Sequence, residues 1–123
     1  MPPPTVLIVE DDPVILRLLE VNFELEGFTV LLAHDGAEGI EVARAQRPDV
    51  VVSDIMMPRT SGLELVAALK ADDDTRSIPV ILLSAKAQTA DLKAGADAGA
   101  DDYVTKPFEP LDLVERVHAL LSR

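Results

Sequence analysis

The chain has no cysteine and no tryptophan, and only 3% of its 123 residues are aromatic. Without cysteine it forms no disulfide and performs no thiol chemistry, and the absence suits a reducing cytoplasm. With so few aromatics, aliphatic side chains must supply most of the core. Positive charge is scarce too. Eleven lysines and arginines stand against 22 acids, a formal net charge of −11. Such a chain repels phosphate backbones, so direct nucleic-acid binding by it is not expected. An acidic surface of this kind ordinarily serves solubility. There is no long apolar run, and Met1 leads into Pro2-Pro3-Pro4 rather than a basic start and an apolar stretch. Neither a secretory signal nor a membrane span is expected, and the chain reads as cytoplasmic. Its length and its 48% hydrophobic content fit one domain over residues 1–123 with a buried core.

What is present is an alternation. Short β-type runs occur at Thr5–Val9, Phe28–Ala33, Val50–Ser53, Val80–Ser84 and Tyr103–Thr105. The first, third and fourth are nearly continuous aliphatics, as in strands covered on both faces. Between the runs, apolar residues recur three and four apart. Val14, Leu18, Val21 and Leu25 mark the first helix; Ala37, Ile40 and Ala43 the second; Leu63, Val66 and Leu69 the third; Leu113, Val117, Leu120 and Leu121 the last. This pattern predicts a parallel sheet with right-handed crossovers. Asp12-Pro13 reads as a cap and first-turn proline, and Gly27 as a left-handed stop. Pro48 ends the second helix and Pro110 opens the last. Residues 71–77 read as a solvated loop. The fourth helical segment, Ala87–Asp97, has Leu92 as its only large apolar residue, which reads equally well as a marginally anchored helix or as an ordinary static Ala-rich surface helix.

The acids fall at strand ends. Glu10-Asp11-Asp12 follows the first run, Asp54 the third, Ser84 closes the fourth and Lys106 follows the fifth. A carboxylate at the exit of a buried strand is costly unless it has a partner or a task. In an open parallel α/β sheet, ligands bind outside the carboxyl ends of the strands, which would gather these residues. Clustered carboxylates repel one another, and a divalent cation relieves that. Hard oxygen donors favour Mg²⁺, with Mn²⁺ as the substitute, over zinc. A cation, the Lys106 ammonium, the Ser84 hydroxyl and a free carboxylate together match phosphoryl chemistry, with Asp54 as the nucleophile that becomes an aspartyl phosphate. Each residue also has a plainer role. Asp12 is better read as a helix cap than as a ligand. Glu10 and Asp11 alone are equally well strand-end solvation, Ser84 a hydroxyl bonded to backbone, and Lys106 a surface lysine. Met56 and Met57 read as packing residues. The combination at four strand ends favours a site.

Glu10-Asp11, Asp54 with Met57-Pro58 and Gly62, Ser84-Ala85, and Gly99-Ala100-Asp101-Asp102-Tyr103-Val104-Thr105-Lys106-Pro107-Phe108 together resemble the receiver domains of two-component response regulators. The resemblance runs from Thr5 to about Leu121. It implies a flavodoxin-like (βα)5 three-layer sandwich with strand order 2-1-3-4-5. It also implies a phosphorylation-activated switch, not a turnover enzyme, charged by a histidine kinase or histidine phosphotransfer protein. Asp54 would be the phosphoacceptor. Glu10, Asp11, Asp54 and the backbone carbonyl of Met56 would hold the metal. Lys106, turned inward by a cis bond to Pro107, would pair with Asp54 and then with phosphoryl oxygens. Ser84 would bond the phosphoryl group and Tyr103 would swing inward with it, altering the face of helix 4, strand 5 and helix 5. That face would then act on an output domain, a downstream protein or a second copy. The paired basic residues that receivers of winged-helix regulators often carry on helix 4 are not matched: Lys93 is present, but Leu92 stands where the second base would be, which suggests an apolar docking spot.

Three other readings compete less well. A small Asp-nucleophile phosphatase or hydrolase needs a second acid two residues past the nucleophile, where this chain has Met56. A flavin or nucleotide module needs a Gly- or Ser/Thr-rich loop after the first strand, where this chain is acidic. A degenerate receiver would not retain Asp11, Asp54, Ser84 and Lys106.

Overall fold

The computed structural model describes residues 2–122 except 86–88, and for 89–92 it describes the backbone alone. Five strands and five helices alternate: β1 (Thr5–Val9), α1 (Pro13–Leu25), β2 (Thr29–Ala33), α2 (Gly36–Gln46), β3 (Val50–Asp54), α3 (Gly62–Ala71), β4 (Val80–Ser84), α4 (Thr89–Ala98), β5 (Asp102–Thr105) and α5 (Pro110–Leu121). All strand pairs are parallel, in the order β2-β1-β3-β4-β5. This is the flavodoxin-like order that the resemblance implied.

Side chains alternate across each strand, and the two faces bury different helices. Val6, Ile8, Val50, Val52, Ile81 and Leu83 pack with Leu16, Leu19 and Phe23 of α1 and with Leu113, Val114 and Val117 of α5. Leu7, Val9, Val51, Val80 and Leu82 face Ala43 of α2 and Leu65, Val66 and Leu69 of α3. Both faces are covered, so the central strands carry aliphatics without interruption. Each Val, Leu, Ile or Phe side chain so buried contributes about 1.5–3 kcal/mol.

The helix ends follow their residues. Asp12 caps α1, accepting from the Val14 and Ile15 amides, and Pro13 takes the first position. Gly27 follows at φ +89°. Ser61 and Glu64 form a reciprocal capping box on α3. Pro110 opens α5. The C-cap of α2 is Arg47, in the left-handed region at φ +46°, ahead of Pro48.

Several expectations need correction. The stripe Val14, Leu18, Val21 and Leu25 is not the buried face of α1. Val14, Leu18 and Leu25 are 76%, 47% and 78% exposed and Val21 is half-buried, whereas Leu16, Leu19 and Phe23 are buried. The two stripes lie roughly half a turn apart on the helix. On α2, Ala37 is exposed while Gly36, Gly39 and Ala43 face inward. Leu65 joins the buried side of α3. The loop after α3 is not wholly solvated, because Thr75 is fully buried and its hydroxyl donates to the Leu69 carbonyl at 2.7 Å. Met56 is not a packing residue: its side chain is 73% exposed, and only Met57 rests on the core. Phe28 is buried but precedes β2. The start expected for helix 4 and the side chain of Leu92 lie outside the described residues.

Candidate functional site

Strand register brings the chosen residues together. Val9 lies opposite Ser53, Asp54 opposite Leu83, and Ser84 opposite Thr105. The strands therefore end level. Glu10 and Asp11 leave β1, Asp54 and Ser84 close their own strands, and Lys106 follows β5. Glu10, Asp54 and Ser84 are buried, at 1%, 5% and 3% exposure, whereas Asp11 faces solvent. Glu10 therefore does not solvate a strand end.

Lys106 joins the acids. Its Nζ donates to Glu10 Oε1 at 2.9 Å and to Asp54 Oδ2 at 3.2 Å. The Lys106–Pro107 bond is cis. Glu10 Oε2 accepts the Asp12 amide at 3.2 Å, so both its oxygens are engaged. Burial raises the Glu10 carboxyl to about pKa 7, and the negative charge of Asp54 adds to the rise, while Lys106 and the Asp12 amide oppose it. Burial lowers the Lys106 pKa, but the bond to Glu10 and the charges of Asp54 and Glu10 outweigh it, and the ammonium is held above its ordinary value.

One oxygen each from Glu10, Asp11 and Asp54 lies within 4.8 Å of the others. Three carboxylates against one ammonium leave excess negative charge and only hard donors, which fits a Mg²⁺-type cation better than a softer metal. Met56 lies in the loop directly after Asp54. Gly62 closes that loop, its amide donating to the Ile55 carbonyl at 3.0 Å; a Cβ there would lie 2.2 Å from the Asp54 carbonyl oxygen. Tyr103 is half-buried on β5, its ring alongside Gly95 of α4.

The structure brings the four strand ends singled out from the sequence to the carboxyl edge of the sheet. Glu10 is the shorter ion-pair partner of Lys106, and a pairing across 96 residues leaves no local signal in the sequence. The tight packing of Gly36 against Thr60 carried little signal either. The only hint there was a second glycine three residues on, at Gly39, on the same helix.

A doubly covered parallel sheet with a cluster of three carboxylates at its carboxyl ends defines a flavodoxin-like α/β module built around an acidic site. The comparisons with known proteins give the family. Residues 6–118 match the model of the response regulator receiver domain. The probable transcriptional regulatory protein TcrX of Mycobacterium tuberculosis is 46% identical over 121 residues, covering 98% of this chain and 51% of that protein. A putative response regulator from Chloroflexus aurantiacus superposes with TM-score 0.93 at 35% identity, over 98% of this chain and 99% of that one. The receiver domain of a sensor histidine kinase from Pseudomonas aeruginosa, with a magnesium ion coordinated in its active-site cleft, superposes with TM-score 0.91 at 29% identity, over 98% and 99%. The chain belongs to the response regulator receiver domain family, whose members are phosphorylation-dependent signalling switches. It spans about half the length of the curated relatives it matches.

Proposed function

We propose that Asp54 accepts a phosphoryl group from the phosphohistidine of a histidine kinase or phosphotransfer protein in a Mg²⁺-dependent reaction. The observation that carries this is the buried Asp54 carboxylate, 3.2 Å from the Lys106 ammonium and within 4.8 Å of the Glu10 and Asp11 ligand oxygens. Glu10, Asp11, Asp54 and the Met56 carbonyl would hold the cation, which when bound supplies positive charge to the transferring group. The P–N bond of the donor breaks as a P–O bond forms to an Asp54 carboxylate oxygen, and the imidazole departs. Lys106 meets a phosphoryl oxygen with its charge, and the Ser84 hydroxyl bonds another. Slow attack of water on the acyl phosphate resets Asp54, so the domain acts on itself and turns over no outside substrate.

The apolar groove beside Lys106, lined by Ile15, Leu18, Ala85, Pro107 and Phe108, and the exposed stripe on α1 support docking of a donor protein at this edge. Ser84 and Tyr103 would relay the change to the α4–β5–α5 face, which would act on an output domain, a downstream protein or a second copy. Direct contact with nucleic acid is not assigned to this acidic segment. The cysteine-free composition supports the cytoplasm as its compartment.

The test is intact mass after incubation with Mg²⁺ and a small phosphodonor. Wild type should gain one phosphoryl adduct, lost without Mg²⁺, and Asp54→Asn should gain none. An adduct undiminished in Asp54→Asn would remove Asp54 as acceptor.

A further inference from the structure

We propose that the turn between β2 and α2, Asp35 with Gly36, is a positioning element for the loop that carries the acceptor pocket. The inference rests on the assignment of Asp54 and the Met56 carbonyl to the cation, and it gives a role to two residues outside that set.

The loop of residues 55–61 is pinned where it leaves and rejoins the fold. The Ile55 amide donates to the Leu83 carbonyl at 2.9 Å, and the Gly62 amide to the Ile55 carbonyl at 3.0 Å. Between these points Met56, Pro58 and Arg59 are exposed, and Met57 is the residue that packs on the core. The far side of the loop rests on α2. A Cβ built on Gly36 would lie 2.4 Å from the Thr60 carbonyl oxygen and 2.7 Å from its Cγ2. The nearest atom belongs to the backbone, so no side-chain rotation relieves the clash, and any larger residue must push the loop outward.

A second tie joins the same two segments. Arg59 sits in the left-handed region at φ +68°, which costs a non-glycine residue about 1–2 kcal/mol. Its guanidinium lies 3.4 Å from Asp35 Oδ2. The other Asp35 oxygen, Oδ1, accepts the Glu38 amide at 2.8 Å and caps α2. The start of α2 therefore holds Arg59 and Thr60 from both sides of the turn. Met56 lies on the same short loop and Asp54 ends the strand that leads into it, so a shift at Thr60 reaches the groups assigned to the cation through the Met56 carbonyl first.

The experiment is calorimetric titration of Mg²⁺ into wild type, Gly36→Ala and Gly39→Ala, with urea unfolding of each. Gly39 is the control: its added Cβ would meet Leu65 Cδ1 at 2.7 Å and Val9 Cγ2 at 2.9 Å, core side chains rather than the loop. Gly36→Ala should weaken Mg²⁺ binding roughly tenfold, as loss of a supporting contact around a metal does. Gly39→Ala should lose stability with Mg²⁺ affinity unchanged. Wild-type affinity in Gly36→Ala, or equal weakening in Gly39→Ala, would overturn the inference. Failure of wild type to bind Mg²⁺ would instead overturn the site assignment beneath it. If Gly36→Ala does not fold, Arg59→Gly suits the positive φ while removing the ion pair, and should weaken Mg²⁺ about twofold; unchanged affinity there also counts against the proposal.

Discussion

Glu10 is the residue on which the pocket's charge balance turns. It is buried beside Asp54, and its carboxyl is raised to about pKa 7 chiefly by that burial. The folded protein therefore holds a proton on Glu10 more tightly than the unfolded chain does. The stability this group contributes is full below its ordinary value of 4.5 and is lost as pH rises through about 7. Urea unfolding without metal should show stability falling between about pH 5 and pH 8, and Glu10→Gln should flatten that dependence. An unchanged slope in the variant would show that other groups carry it. The raised Lys106 does not interfere, since its loss of charge falls at much higher pH. At this scale the candidate site was largely legible. Acids and a lysine at the ends of apolar strands are conspicuous because burying charge is costly. What could not be read was the sharing of Lys106 between Glu10 and Asp54, because side-chain reach depends on where two distant segments meet.

Among the elements, α1 shows where periodicity stops being informative. It carries apolar residues on two opposite sides, Val14, Leu18 and Leu25 on one and Leu16, Leu19 and Phe23 on the other. Both sets satisfy helical spacing, and only the second meets the sheet. Leu19→Ala should cost about 2–5 kcal/mol in unfolding free energy. Leu18→Ala, one position away and half-exposed, should stay within about 0.5 kcal/mol. Denaturant curves for the pair would decide it, and equal losses would contradict the packing described. Element limits were legible to within a residue or so where proline, glycine or a capping acid marked them, as at Pro13, Gly27 and Pro110. The left-handed Arg47 and the buried Thr75 carried no such mark. Their conformations are imposed by neighbouring structure rather than by local preference.

For the whole molecule, the site and the face proposed as its readout lie on different parts of one sheet. Asp54 ends β3 near the centre, while β5 and α5 form an edge bounded by α4. Gly95 brings α4 close to Leu82 and the Tyr103 ring; a Cβ there would lie 3.2 Å and 3.5 Å from them. A phosphate mimic with Mg²⁺ should alter amide exchange most over residues 89–105 and least over β1 and β2. Uniform change, or none near α4, would count against transmission to that face. By itself, the sequence determined the strand–helix alternation, the caps and the placing of acids at strand ends, because propensity, periodicity and the cost of buried charge act over short stretches of chain. The strand order was legible only through resemblance to a family. Tertiary structure alone decided which side of α1 is buried, which acids share Lys106, and how Gly36 lies under Thr60, because each depends on contacts between segments that the order of residues does not bring together.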